Sequence, residues 1–146
     1  MTTTTLEREL QLPTRLRLAV MRLARRLRQQ AEEGATPSML SALSSVERLG
    51  PVSLSELAQI ERVQPPSITK VVAGLEEKGL VHRSSDAQDR RVARVQLTAK
   101  GKRFIEQNRS RKNAYLARGL NGLTPDELET LNRALDVLDR LLAEAG

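Results

Sequence analysis

Residues 84–101 read SSDAQDRRVARVQLTAKG, and the order of residue types within them decides what kind of chain this is. Ser84 to Arg91 is polar, with Asp86 and Asp89 ahead of two adjacent arginines, the composition of a turn rather than of a helix or strand. From Val92 to Thr98 the residues alternate: Ala93, Val95 and Leu97 fall on one side of an extended strand, Arg94 and Gln96 on the other. Leu80 to Ser84 supplies a strand before the loop, so the stretch predicts a β-hairpin with Arg90 and Arg91 at its tip and Arg94 just beyond. Asp89 is placed to accept from a guanidinium and so to set the shape of the loop. That much positive charge on a hairpin tip asks for a negatively charged partner.

The segment upstream says which partner. PPSITKVVAGLEEKG, from Pro65 to Gly79, predicts a helix that starts on prolines, turns Ile68, Val71, Val72 and Leu75 inward at helical spacing and ends on a glycine cap. Its outer side near the start carries Ser67, Thr69, Lys70 and Ala73, small and polar where a solvated face usually carries long charged pairs. Before it, SLSE at Ser53 to Glu56 has capping-box spacing, with Val52 and Leu57 able to staple, and the proline pair keeps that helix short. Two helices joined by a brief turn match a helix-turn-helix, whose second helix offers short hydrogen-bonding side chains to base edges in a major groove. On helix spacing alone a plain helical hairpin would fit as well. The hairpin that follows tips the balance, because a narrow minor groove concentrates negative potential and attracts an inserted guanidinium. The residues expected to face DNA are Gln64, Ser67, Thr69, Lys70, Arg90, Arg91 and Arg94, with Asp89 stabilising the wing.

Bulk properties agree. A chain of 146 residues suits one compact domain, and 39% hydrophobic with 29% charged residues places it among globular proteins. Aromatic residues make up only 1%, so Leu, Val, Ile and Ala must fill the core. There is no cysteine, which excludes a disulfide scaffold, a thiol sensor and a thiolate metal site. The net charge of +6 is unevenly placed: Arg15 to Arg28 has arginines and no acid and Arg83 to Arg103 is strongly basic, while acids outnumber bases between Asp126 and Glu144.

Outside residues 35–101 the pattern is helical. Leu12, Leu16, Val20, Leu23 and Leu27 make an apolar stripe on a basic first helix, and Thr36-Pro37 starts a second helix with Met39, Leu40, Leu43 and Val46 inward. LTPDEL at Leu123 to Leu128 is a capping box with Thr124 as cap, Pro125 at the first position and Glu127 at the third. The helix it starts places Leu128, Leu131, Leu135, Leu138 and Leu142 in a heptad stripe, widened by Ala134, Val137 and Leu141. So broad an apolar face on a terminal helix exceeds what one small wing domain covers, which favours a homodimer, with packing inside one chain as the alternative. The expected fold is mainly α with a small β-hairpin wing: a tail at 1–5, a helical dimerisation region at 6–34 and 102–146, and a winged helix-turn-helix at 35–101.

These residues also carry a resemblance. Leu57-Ala58, SITKVVAGLEEKGLV and DRRVARVQLTAKG are similar to the winged-helix core of the MarR family, the multiple antibiotic resistance regulators. The most specific piece is Asp89-Arg90-Arg91 followed by Val95, Leu97-Thr98 and Gly101, and the specific motifs span about residues 52–101. The resemblance implies a homodimeric transcription regulator, usually a repressor, on a palindromic operator. By motif position Arg91 is its minor-groove arginine and Ser67, Thr69 and Lys70 its base-reading turn. It also implies that a small aromatic or anionic effector could release the operator. Two departures stand out: Gln64 sits where a better N-cap is common, and Pro65-Pro66 removes two amides that could meet a phosphate.

Other chemistry finds little support. His82, the only histidine, lies between Val81 and Arg83 and reads as a strand residue. Ser38, Ser41, Ser44 and Ser45 read as caps and helix surface, and Phe104 and Tyr115 as packing on a fifth helix rather than as the lining of an effector pocket. No nucleophile elbow, phosphate-binding loop or metal-binding histidine pair is present, so neither an enzyme nor a metal or other cofactor is expected. Arginines interrupt the only long apolar run, LRLAVMRLARRL, which argues against a membrane span and makes the cytoplasm the expected location. The competing reading is a winged-helix module that binds protein instead of DNA.

Overall fold

Helix-start signals are local, and the caps at Thr36, Ser53 and Thr124 all form. The computed structural model describes residues 2–31 and 34–145; Met1 of the expected tail, residues 32 and 33 of the expected first helical segment and the terminal Gly146 lie outside them. The order of elements is α1 (Thr2–Gln29), α2 (Pro37–Leu49), β1 (Val52–Ser53), α3 (Leu54–Glu61), α4 (Pro65–Glu77), β2 (Val81–Ser85), β3 (Ala93–Leu97), α5 (Ala99–Leu120) and α6 (Pro125–Glu144). The Thr36 hydroxyl accepts from the Met39 amide at 3.1 Å to open α2, and the Ser53 hydroxyl accepts from Glu56 at 3.1 Å to open α3. Thr124 and Glu127 form the full reciprocal capping box of α6.

Two elements depart from expectation. Thr2 to Thr5, expected as a tail, are the first turn of α1, because extending an existing helix costs each threonine only its modest propensity penalty. The same helix runs through Pro13, which has no amide to donate to the Glu9 carbonyl one turn back. The wing hairpin also gains a strand. β1 pairs antiparallel with β3, Val52 opposite Val95 and Ser53 opposite Arg94, while β2 pairs along the other edge of β3.

The core lies beneath α4. Leu43 and Val46 of α2, Leu57 of α3, Ile68, Val72 and Leu75 of α4, Leu80 before the wing, Val81 of β2 and Val95 of β3 are all buried, with Met39, Val71 and Phe104 packed at the margin. Leu, Val and Ile therefore fill the centre, as the scarcity of aromatics required. Each deeply buried leucine contributes about 1.5–3 kcal/mol to folding.

The end of α4 is fastened to the start of α5. Gly79 takes φ +74°, which favours glycine, and its carbonyl accepts from the Thr98 hydroxyl at 2.6 Å. That hydroxyl also accepts from the Gly101 amide at 3.0 Å, capping α5, and the Lys100 ammonium donates to the Lys78 carbonyl at 2.8 Å. Gly101 passes so close to Leu80 that an added Cβ would stand 2.1 Å from the Leu80 carbonyl oxygen. Thr98, Lys100 and Gly101 thus fasten the turn that ends α4 to the start of α5.

The chain divides into two compact units, Met1–Arg111 and Lys112–Gly146, where the sequence led us to expect one. The reason is visible within the second unit. α6 has no buried residue: Leu128, Leu131, Leu135 and Leu142 are exposed, Leu142 by 69%, and only Leu138 along the stripe is half-buried. In the first unit α1 likewise exposes Leu12, Val20 and Leu23, with Leu16 and Leu27 half-buried.

Candidate nucleic-acid interface

α3 ends at Glu61, α4 begins at Pro65, and the intervening turn is set by Arg62, whose φ of 53° caps α3 in the left-handed region. With Ile68, Val72 and Leu75 buried and successive residues rotated by about 100°, the middle of the outward face of α4 falls on Lys70 and Ala73. Ser67 and Thr69 stand at its two edges, and all four are exposed. The Thr69 hydroxyl donates to the Pro65 carbonyl at 2.9 Å, so its lone pairs, not its proton, remain for a partner.

The start of α4 has an unusual chemistry. Gln64 is exposed and makes no side-chain cap, so its amide group is not occupied at the helix end. Pro65 and Pro66 have no N–H, and the Ser67 and Ile68 amides both donate to the Gln64 carbonyl, at 2.9 and 3.2 Å. No amide of this first turn is left for a phosphate. What α4 offers at this end is therefore side chains rather than amides, and Lys70 has no acidic partner among the described residues.

The wing is organised by Asp86, which the sequence marks only as one polar residue of a turn. One carboxylate oxygen of Asp86 accepts from the backbone amides of Gln88 at 2.7 Å and Asp89 at 3.3 Å, closing the loop. The other accepts from the Arg94 guanidinium, which also approaches Glu56 of α3 to 3.9 Å. The Gln88 amide, the Arg94 pair and the Asp89 amide, in that order, hold the Asp86 carboxyl below the ordinary carboxylate value of 3.8, and Asp86 in turn raises Arg94. An aspartate bonding amides two and three residues on was the available signal.

Asp89 does what its position suggested on a smaller scale. Its carboxylate accepts from the Arg91 amide at 3.1 Å and from Arg91 Nε at 3.2 Å, yet the Arg91 side chain remains 92% exposed. Arg90 is exposed and has no acidic partner among the described residues. Arg94 differs from both. The sequence placed it with the DNA-facing residues, whereas its guanidinium is turned onto Asp86 and Glu56 with only 33% of the side chain exposed, as a brace between wing and α3. Glu56 explains the half-formed capping box: its amide meets Ser53, but its carboxylate lies toward Arg94.

A second tie joins Arg83 of β2 to Glu76 of α4 at 2.7 Å. The hairpin is thus held to α3 at its tip and to α4 near its base, and Arg90, Arg91 and Lys70 belong to one unit. His82 is an exposed residue of β2 opposite Gln96, and Phe104 packs against the core. No group of acidic or histidine side chains among the described residues could hold a metal ion, and no described helix is long and apolar enough to cross a membrane.

A small-residue helix face after a short turn, followed by a braced hairpin tipped with arginines, defines a winged helix-turn-helix, a DNA-binding class. Residues 35–93 match the profile of the MarR family. An HTH-type transcriptional regulator of Mycobacterium leprae (strain TN) is 34% identical over 96% of this chain and 99% of its own length. A solved protein of Pseudomonas aeruginosa PA01 is 36% identical, covers 92% of this chain and 96% of its own, and superposes with a TM-score of 0.82. The fold is also that of a Staphylococcus aureus MepR variant solved bound to an oligodeoxyribonucleotide, 20% identical over 90% of this chain and 97% of its own, with a TM-score of 0.72. The chain belongs to the MarR family of DNA-binding transcriptional regulators, which are not enzymes.

Proposed function

We propose that two copies of the chain associate through the apolar faces of α1 and α6, using Leu12, Leu16, Leu128, Leu131, Leu135, Leu138 and Leu142, and occupy a palindromic operator as a repressor. Ser67, Lys70, Thr69 and Gln64 read base edges in the major groove. Arg91, with Arg90 beside it, enters the flanking minor groove, and Arg94 acts through Asp86 and Glu56 by fixing where the wing tip stands. The observation that carries this reading is the pairing of unspent groups. Lys70, Arg90 and Arg91 are exposed on a unit whose core is otherwise filled, and the leucines of α6 are exposed on the other.

Two-fold symmetry places the half-sites about one helical turn apart, roughly ten base pairs centre to centre, so that both α4 helices reach one face of the duplex. Repression then follows from exclusion of polymerase from a promoter containing the site, a task that belongs in the cytoplasm with the chromosome. A small molecule releases the operator if it binds more tightly to a dimer whose recognition helices are wrongly spaced.

Retention of genomic fragments by the purified protein tests the reading and supplies the operator. Enriched fragments should share an inverted repeat with that spacing, and Lys70→Ala should cost about 1–3 kcal/mol on the preferred sequence if Lys70 pairs with guanine. Enrichment without any inverted repeat, or a protein that retains no DNA, would contradict it and favour the protein-binding alternative.

A further inference from the structure

Behind the edge of α4 that carries Ser67 lies a cavity of about 320 Å³ lined by Pro37, Ser38 and Ser41 of α2, Glu61 and Val63 at the end of α3, and Ser67, Ile68 and Val71 of α4. Its walls are mostly apolar, and Glu61 is the acidic side chain among its lining residues. The Glu61 carboxylate is half-buried and accepts from the Ser41 hydroxyl at 2.9 Å and from the Ser45 hydroxyl at 3.4 Å. Among the described residues no lysine or arginine pairs with it.

Two hydroxyls occupy about half of the roughly four lone-pair sites of a carboxylate, which leaves acceptor capacity on a side chain that lines the cavity. We infer that this cavity binds a small amphiphilic cation, its ammonium on Glu61 and its apolar body against Val63, Ile68 and Val71. The volume is at the low end of the roughly 300–1,000 Å³ of small-molecule sites, which favours a compact amine over a segment of a macromolecule. An aromatic acid, the effector chemistry the family resemblance suggests, carries the wrong charge for this position.

Ser67 lines the cavity and also edges the DNA-facing side of α4, so an occupant pushes on the helix that reads the operator. The binding site itself does not rest on the DNA-binding reading, and it is tested without DNA. Titration calorimetry on the full chain would compare phenylbutylamine, phenylbutanol and phenylbutyrate, which share a body and differ in charge.

The amine should bind at least about tenfold more tightly than the alcohol, and the acid should not bind. Glu61→Gln keeps an acceptor for the serines and should remove the preference for the amine. Val63→Lys, at an exposed turn position that should fold regardless, places a tethered ammonium at the cavity and should also weaken the amine about tenfold. No heat from the amine at millimolar concentration, equal binding of the alcohol or acid, or unchanged amine affinity in both variants would each overturn the proposal.

Discussion

The core beneath α4 and the face of α6 are built from the same side chains and use them in opposite ways. Leu43, Leu57 and Leu75 are fully buried within the first unit, whereas Leu128, Leu131 and Leu135 in the second are 40–49% exposed. Hydrophobic burial is non-directional, so residue type cannot distinguish a leucine that holds the core together from one left exposed; only its surroundings do. The lesson extends to charge. Arg94 and Arg91 are three residues apart on one hairpin, yet one is folded onto Asp86 and the other is open to a partner.

Substituting one leucine from each set separates their roles. Leu75→Ala leaves a cavity in a core that cannot collapse onto it and should cost about 2–5 kcal/mol in urea unfolding. Leu135→Asp should leave urea unfolding of the first unit almost unchanged while driving the protein to a monomer in sedimentation equilibrium. Equal losses of stability from the two substitutions would erase the distinction.

Gly101→Ala sharpens a different part of it, because the new methyl must displace backbone rather than a side chain. It should cost about 1–3 kcal/mol and disturb the joint between α4 and α5, visible as shifts in the amide resonances of Gly79 and Leu80. The smallest effect concerns the wing brace. Asp86 has a lowered pKa, so its ionised form stabilises the folded wing. That contribution is fully present above the ordinary carboxylate value of 3.8 and is lost as pH falls below it through the lowered folded value. The Gln88 and Asp89 amide resonances should therefore hold steady on acidification to about pH 4 and move only below it. Movement nearer neutrality would mean that Asp86 is not the organiser.

Much of this architecture was legible because its signals are local. Thr36, Ser53 and Thr124 announce α2, α3 and α6 from within four residues of each helix start, and the alternation of Val95 and Leu97 places β3 to within a residue. What escaped depends on distant partners. β1 is two residues long and is a strand only because Val52 meets Val95, far along the chain. The brace needed Glu56, Asp86 and Arg94 together, and nothing in the spacing of the arginines told the sequestered one from the exposed ones. The division into two units was equally hidden, since a leucine stripe reads the same whether or not its own chain covers it.

DNA docking through α4 and the wing is the claim on which the rest depends, and salt dependence probes it most directly. For a duplex chosen by genomic retention, log affinity should fall steeply and linearly with log salt, and Arg91→Ala should bind about tenfold more weakly without any change in thermal unfolding. A flat salt response, or an Arg91→Ala protein that binds the operator as tightly as the parent, would contradict the account.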